Sequence, residues 1–112
     1  MKSDAEPGEN GPDYTMIFDA PPIISVDNLP TSTPGEILQL SGDIVDTDGI
    51  NLISVFVGED KVAMFPASDK EVTVSVEVKL SDEINLITIV AKDSKGLQSR
   101  QSFVVRNEGY EG

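Results

Sequence analysis

The chain contains no histidine and no cysteine. Without His it lacks the one side chain that ordinarily titrates near neutral pH. Ser-His and Cys-His nucleophile pairs and His-bearing zinc sites are thereby excluded. Without Cys there is no disulfide, and the redox compartment cannot be read from thiols. Tryptophan is also absent, and four Phe and two Tyr are all the aromatics present, which leaves little for the stacking platform that a sugar-binding face uses. Cations are scarce as well. Eight Lys and Arg against twenty Asp and Glu give a net charge of −12, so no basic face is left for nucleic acid or an anionic membrane. No run approaches the length of a membrane span, and the opening "MKSDAEPGENG" has no apolar signal-peptide core. That opening reads as a linker, so the chain is expected to be an excised piece of a longer protein.

What is present is enough for one domain with a modest core: 112 residues of ordinary apolar content. Residues 1–21 are expected to be a flexible acidic linker, with a candidate short strand at "YTMIF" (14–18) that Pro21 and Pro22 break off. The compact domain is expected over 22–106, and a disordered tail over 107–112. Within the domain, short apolar runs follow one another: "IISV" (23–26), "ILQLSGDIV" (37–45), "INLISVFV" (50–57), "VAMFPA" (62–67), "EVTVSVEVKL" (71–80), "NLITIVAK" (85–92) and "QSFVVR" (101–106). The fifth alternates cleanly, with Val72, Val74, Val76, Val78 and Leu80 on one side. Val55, Val57, Ile87, Ile89 and Ala91 are expected to join Val72, Val74 and Val76 in the core. Period-two alternation and turns every 8–12 residues predict an all-β sandwich of about seven antiparallel strands, and the resemblance given below implies that it is immunoglobulin-like.

"INLI" occurs at 50–53 and again at 84–87, an offset of 34 residues. The likeness extends backwards, with Leu38, Leu40 and Ile44 matching Val72, Val74 and Val78, but fails forwards. Two copies are too few for a solenoid. Neighbouring strands of a sandwich under similar packing demands would converge on similar text.

The segment "LSDEINLITIVAKDSKGLQSRQSFVV" (80–105) resembles the closing half of bacterial Ig-like domains, with Asn85, Ile87, Ile89, Ala91, Asp93, Gly96 and Ser99 at the positions of that family's pattern. "LSGDIVDTDGINLISVFV" (40–57) is similar to its first half. A narrower likeness joins "FDAPPIISVDNLPTST" and "VFVGEDKVAMFPA" to the Ig-like tail behind the catalytic domain of some carboxyl-terminal-processing (tail-specific) proteases. Those are Ser-Lys peptidases of the periplasm or envelope. The resemblance implies a non-catalytic accessory or interaction domain of a multidomain bacterial envelope protein, in the periplasm, cell envelope or extracellular space, whose peptidase part lies upstream. The alternative is an independent sandwich of a secreted or cell-surface protein that binds calcium or glycan.

No catalytic or cofactor-binding residues are expected, and no cofactor. Ser94-Lys95 is no catalytic dyad, because adjacent residues in a turn point apart. The one candidate metal set is Asp43, Asp46 and Asp48. An EF-hand alignment fails there, because Ile44 and Val55 fall where carboxylates are needed. The expected reading is nonetheless a polar turn whose Asp side chains bond nearby N–H groups, with no metal bound and a melting temperature unchanged by EDTA. The expected partners are domains of the parent protein or an extended peptide segment; no nucleic acid and no membrane insertion are expected, and the isolated domain should be a monomer. Docking is expected at sheet edges, along Ile23, Ile24, Ser25 and Val26, or along Val62, Met64 and Phe65 beside Pro66.

Overall fold

The computed structural model describes residues 20–111. The candidate strand at 14–18 lies outside them, as does nearly all of the linker expected over 1–21. Eight strands follow in order: β1 (Ile23–Val26), β2 (Ser32–Thr33), β3 (Ile37–Val45), β4 (Ile50–Val57), β5 (Asp60–Pro66), β6 (Glu71–Lys79), β7 (Ile84–Asp93) and β8 (Gln98–Asn107). They form two sheets, one in the order β1-β3-β6 and one in the order β2-β8-β7-β4-β5. The all-β sandwich expected from the sequence is what forms.

The alternation in β3 and β6 sets the core. Leu38, Leu40 and Ile44 of β3 are buried, while Ile37 and Gln39 face solvent. Across the gap lie Ile53, Val55, Ile87, Ala91 and Val105, all fully covered. Each of these Val, Leu and Ile side chains contributes roughly 1.5–3 kcal/mol by leaving water, and Ala91 less. Of the eight residues expected inside, Val55, Val57, Val74, Ile87, Ile89 and Ala91 are buried, but Val72 and Val76 are only partly covered. The reason is topological. β6 pairs with β3 alone, so parts of its inward face reach the rim of the sandwich, while Val74 and Val78 on that face stay buried.

The strand count differs from seven because Ser32–Thr33 runs parallel to the end of β8, pairing with Arg106 and Asn107. Two residues between Pro30 and Pro34 leave no periodicity to read. The free tail expected from 107 also differs from what forms. Asn107 is buried, the Glu108 N–H donates to the Thr33 carbonyl at 2.9 Å, and the Tyr110 N–H donates to the Asn107 carbonyl at 3.3 Å.

The repeated "INLI" lies in β4 and β7, which are neighbours and antiparallel. The two copies do not share an environment. Ile53 and Ile87 are both wholly buried, but Ile50 is 1% exposed and Ile84 is 58% exposed. A register shift between Ile50 and Leu52 explains the difference. This bulge turns Ile50 inward out of phase with Ile53. Asn51 is consequently exposed, whereas Asn85 is buried and fully bonded. Its Oδ1 accepts from the Ser81 and Asp82 N–H groups, and its Nδ2 donates to the Asp82 and Val105 carbonyls. Asn85 thus builds the turn between β6 and β7.

Candidate functional site

Two turns meet at one end of the sandwich, the β3–β4 turn at Asp46–Gly49 and the β7–β8 turn after Asp93. Both need a left-handed residue, and both supply glycine: φ is +102° at Gly49 and +87° at Gly96. Within the first turn Asp46 Oδ1 accepts the Asp48 N–H at 2.7 Å. Within the second, Asp93 Oδ1 accepts the Lys95 N–H at 2.9 Å and the Leu97 N–H at 2.8 Å. These are the local side-chain turns that Asp favours. The turns are also stitched to each other. Ser94 Oγ donates to the Asp48 carbonyl at 2.8 Å, and the Ser94 N–H to the Gly49 carbonyl at 2.9 Å.

Three carboxylates therefore converge. One oxygen each from Asp46, Asp48 and Asp93 lies within 4.8 Å of one from each of the others. Asp93 is fully buried, Asp46 is 7% exposed and Asp48 is half-buried. The Oδ2 atoms of all three are buried with no hydrogen-bond partner. Lys95 Nζ approaches Asp48 on its other oxygen, Oδ1, at 3.6 Å. Burial pushes the Asp46 carboxyl above its usual value of 3.8; the bond from the Asp48 N–H opposes this, and the charge of Asp93 adds to it.

The structure redraws the acidic set read from the sequence. Asp46 and Asp48 are brought together, but Asp43 is not with them. It lies earlier on β3, where its Oδ1 accepts the Thr73 hydroxyl at 2.8 Å across the pair with β6. Asp93 takes its place from 45 residues further along the chain than Asp48. The usable signal was the pairing of β4 with β7, which sets Ile50 opposite Asp93. Ser94 and Lys95 engage the Asp48 carbonyl and carboxylate respectively, so the pair is not arranged as a nucleophile and its base.

The expected docking strands are edges of their sheets. β1 borders the three-stranded sheet and β5 the five-stranded one. Ile23 and Ser25 are exposed, Ile24 and Val26 partly covered, Val62 and Met64 exposed, and Phe65 partly covered. β5 is a poor template nonetheless. Its register against β4 skips Val62, and Pro66 lies in its last pair, two devices that blunt an edge. The sequence reading passed over β6, a nine-residue edge paired with β3 without interruption. Among the described aromatics only Tyr110 is exposed, so no stacked platform for sugar is assembled there.

The chain matches no protein-family profile and no curated protein sequence. Among solved structures it is similar to wild-type OgpA from Akkermansia muciniphila, with a TM-score of 0.62 and 14% identity over 84% of this chain and 31% of that one. It is also similar to a fibronectin(III)-like module of CbhA from Clostridium thermocellum, with a TM-score of 0.60 and 16% identity over 77% of this chain and 97% of that one. The likeness is one of fold. What they share with this chain is the β-sandwich, and the second of them is a fibronectin(III)-like module. The chain spans under a third of OgpA.

Proposed function

We propose that this chain is a non-catalytic sandwich module of a longer envelope or extracellular protein, serving to dock or space the units attached to it. The observation that carries the reading is one of size. The chain corresponds to almost all of a fibronectin(III)-like module, at 97%, but to 31% of OgpA, which is the relation of one module to a larger protein. The finer reading, a carboxyl-terminal-processing protease as the parent, rests on the sequence likeness at 18–33 and 55–67 alone.

Docking by strand addition suits this fold. β6 is the best edge for it, and β1 the second. Glu71 and Glu77 point outward from β6, and Lys79 at its far end approaches Glu36 at 3.4 Å. A partner segment should therefore be extended and basic. Titrating the labelled chain with an alternating Lys-Val octapeptide, read by amide shifts, tests this. Shifts concentrated in Glu71–Lys79 support the proposal. Shifts elsewhere, or none at millimolar peptide, would overturn strand addition.

A further inference from the structure

The hydrogen bonds made by Asp46 and Asp93 do not require a charge. In each case Oδ1 alone accepts backbone N–H groups, and a neutral asparagine oxygen can also accept them in such turns. The turns thus explain a short polar side chain but not three carboxylates. What remains is a set of three Oδ2 atoms, buried and unpartnered, on groups whose oxygens come within 4.8 Å of one another. Buried polar atoms are nearly always satisfied, and like charges this close repel. Lys95 offsets part of that charge from the solvent side, with its side chain 46% exposed, but it meets Asp48 through Oδ1.

We propose that the paired turns form a divalent-cation site of the calcium type, held by the Oδ2 atoms of Asp46, Asp48 and Asp93. The donor set is all oxygen, which suits a hard cation and not zinc, whose usual His and Cys ligands the chain lacks. Ligands drawn from two irregular turns, with coordination completed by water, suit the loose shell of calcium better than the strict octahedron of magnesium. A bound ion would join the β3–β4 turn to the β7–β8 turn, and with it the three-stranded sheet to the five-stranded one. Three carboxylates correspond to the weaker range of extracellular modules, a Kd of about 10⁻⁴–10⁻³ M.

The test uses the whole 112-residue chain, stripped with EDTA and titrated with calcium chloride. The expected result is a rise in Tm of about 4 °C or more at ten times Kd, reversed by EDTA. Amide shifts should concentrate in 46–50 and 93–97. Asp93→Asn keeps the Oδ1 acceptor, so it should fold, and it should lose at least about tenfold in affinity. Asp46→Asn should do the same, and Asp43→Asn should leave binding unchanged. The absence of a Tm change and of amide shifts with calcium, magnesium or manganese would overturn the proposal. Full response in both Asp93→Asn and Asp46→Asn, or a loss in Asp43→Asn as large as theirs, would overturn the ligand assignment. Should either ligand variant fail to fold, the location of the wild-type amide shifts decides alone.

Discussion

The Ser94 hydroxyl donates to the Asp48 carbonyl at 2.8 Å, bridging two turns 46 residues apart in the chain. That bond fixes one turn relative to the other without involving a carboxylate oxygen. Ser94→Ala should cost about 0.5–1.5 kcal/mol, read as a small fall in Tm. If the cation proposal holds, the calcium response should persist at weakened affinity. A loss of folding would mean that the bridge matters more than an exposed hydroxyl can.

Val74→Asp places a charge between the sheets, opposite Gly42 on β3. With no cation among the buried residues near it, the variant should lose about 3 kcal/mol or more. Chemical denaturation should show a lowered midpoint or an unfolded protein, and a midpoint equal to wild type would contradict the core described above.

At Gly42 the backbone of β1 presses close on β3. A Cβ built there would lie 2.5 Å from the Ser25 carbonyl oxygen, so alanine must push backbone aside. Gly42→Ala should cost about 1–3 kcal/mol, and amide exchange should accelerate at residues 23–26 before anywhere else. Uniform loss of protection would point to a global rather than a local effect.

Asn85→Ala removes four hydrogen bonds at once and leaves two N–H donors in the 81–82 turn without their acceptor. A loss of about 2–4 kcal/mol is expected. The same substitution at exposed Asn51 should change the melting midpoint little, although both residues stand second in "INLI".

The pH dependence follows from Asp46. Its folded pKa lies above the usual 3.8, chiefly through burial, so the folded chain holds this proton more tightly than the unfolded one. In EDTA the ionised carboxylate is therefore a liability above the folded pKa. The penalty should fade as pH falls through that value toward 3.8. Relative to Asp46→Asn, wild-type protein should gain Tm over this window. A difference that stays flat with pH would contradict the assignment.

Much of the sandwich was legible because β3 and β6 carry strict alternation, and Val74 and Leu40 sit inside where the pattern puts them. The bulge at Ile50 was not legible. A one-residue slip leaves the text unchanged while altering which face each residue meets. β2 was hidden for another reason, since two residues held by β8 need no pattern of their own. The acidic site was half visible. Asp46 and Asp48 announce a turn by proximity in the chain, while Asp93 joins them only through the register of β4 against β7. Asp43 looked equivalent on spacing, yet the pleat and its bond to Thr73 keep it on the other sheet's surface.

The chain enters and leaves the sandwich at opposite ends. Ile23 stands beside Val45, next to the acidic turns, while Asn107 and Gly109 lie against the 31–36 segment at the far end. A pull applied through the two ends of the chain would run lengthwise along the strands. It would load the β1–β3 ladder, and the link from Ser99 Oγ to the Pro22 carbonyl, in shear. Ladder bonds loaded in shear must break together, whereas bonds peeled from one end break singly. Under such a pull the bonds that resist first would lie beside the carboxylate cluster, between Pro22 and Val26 and their partners.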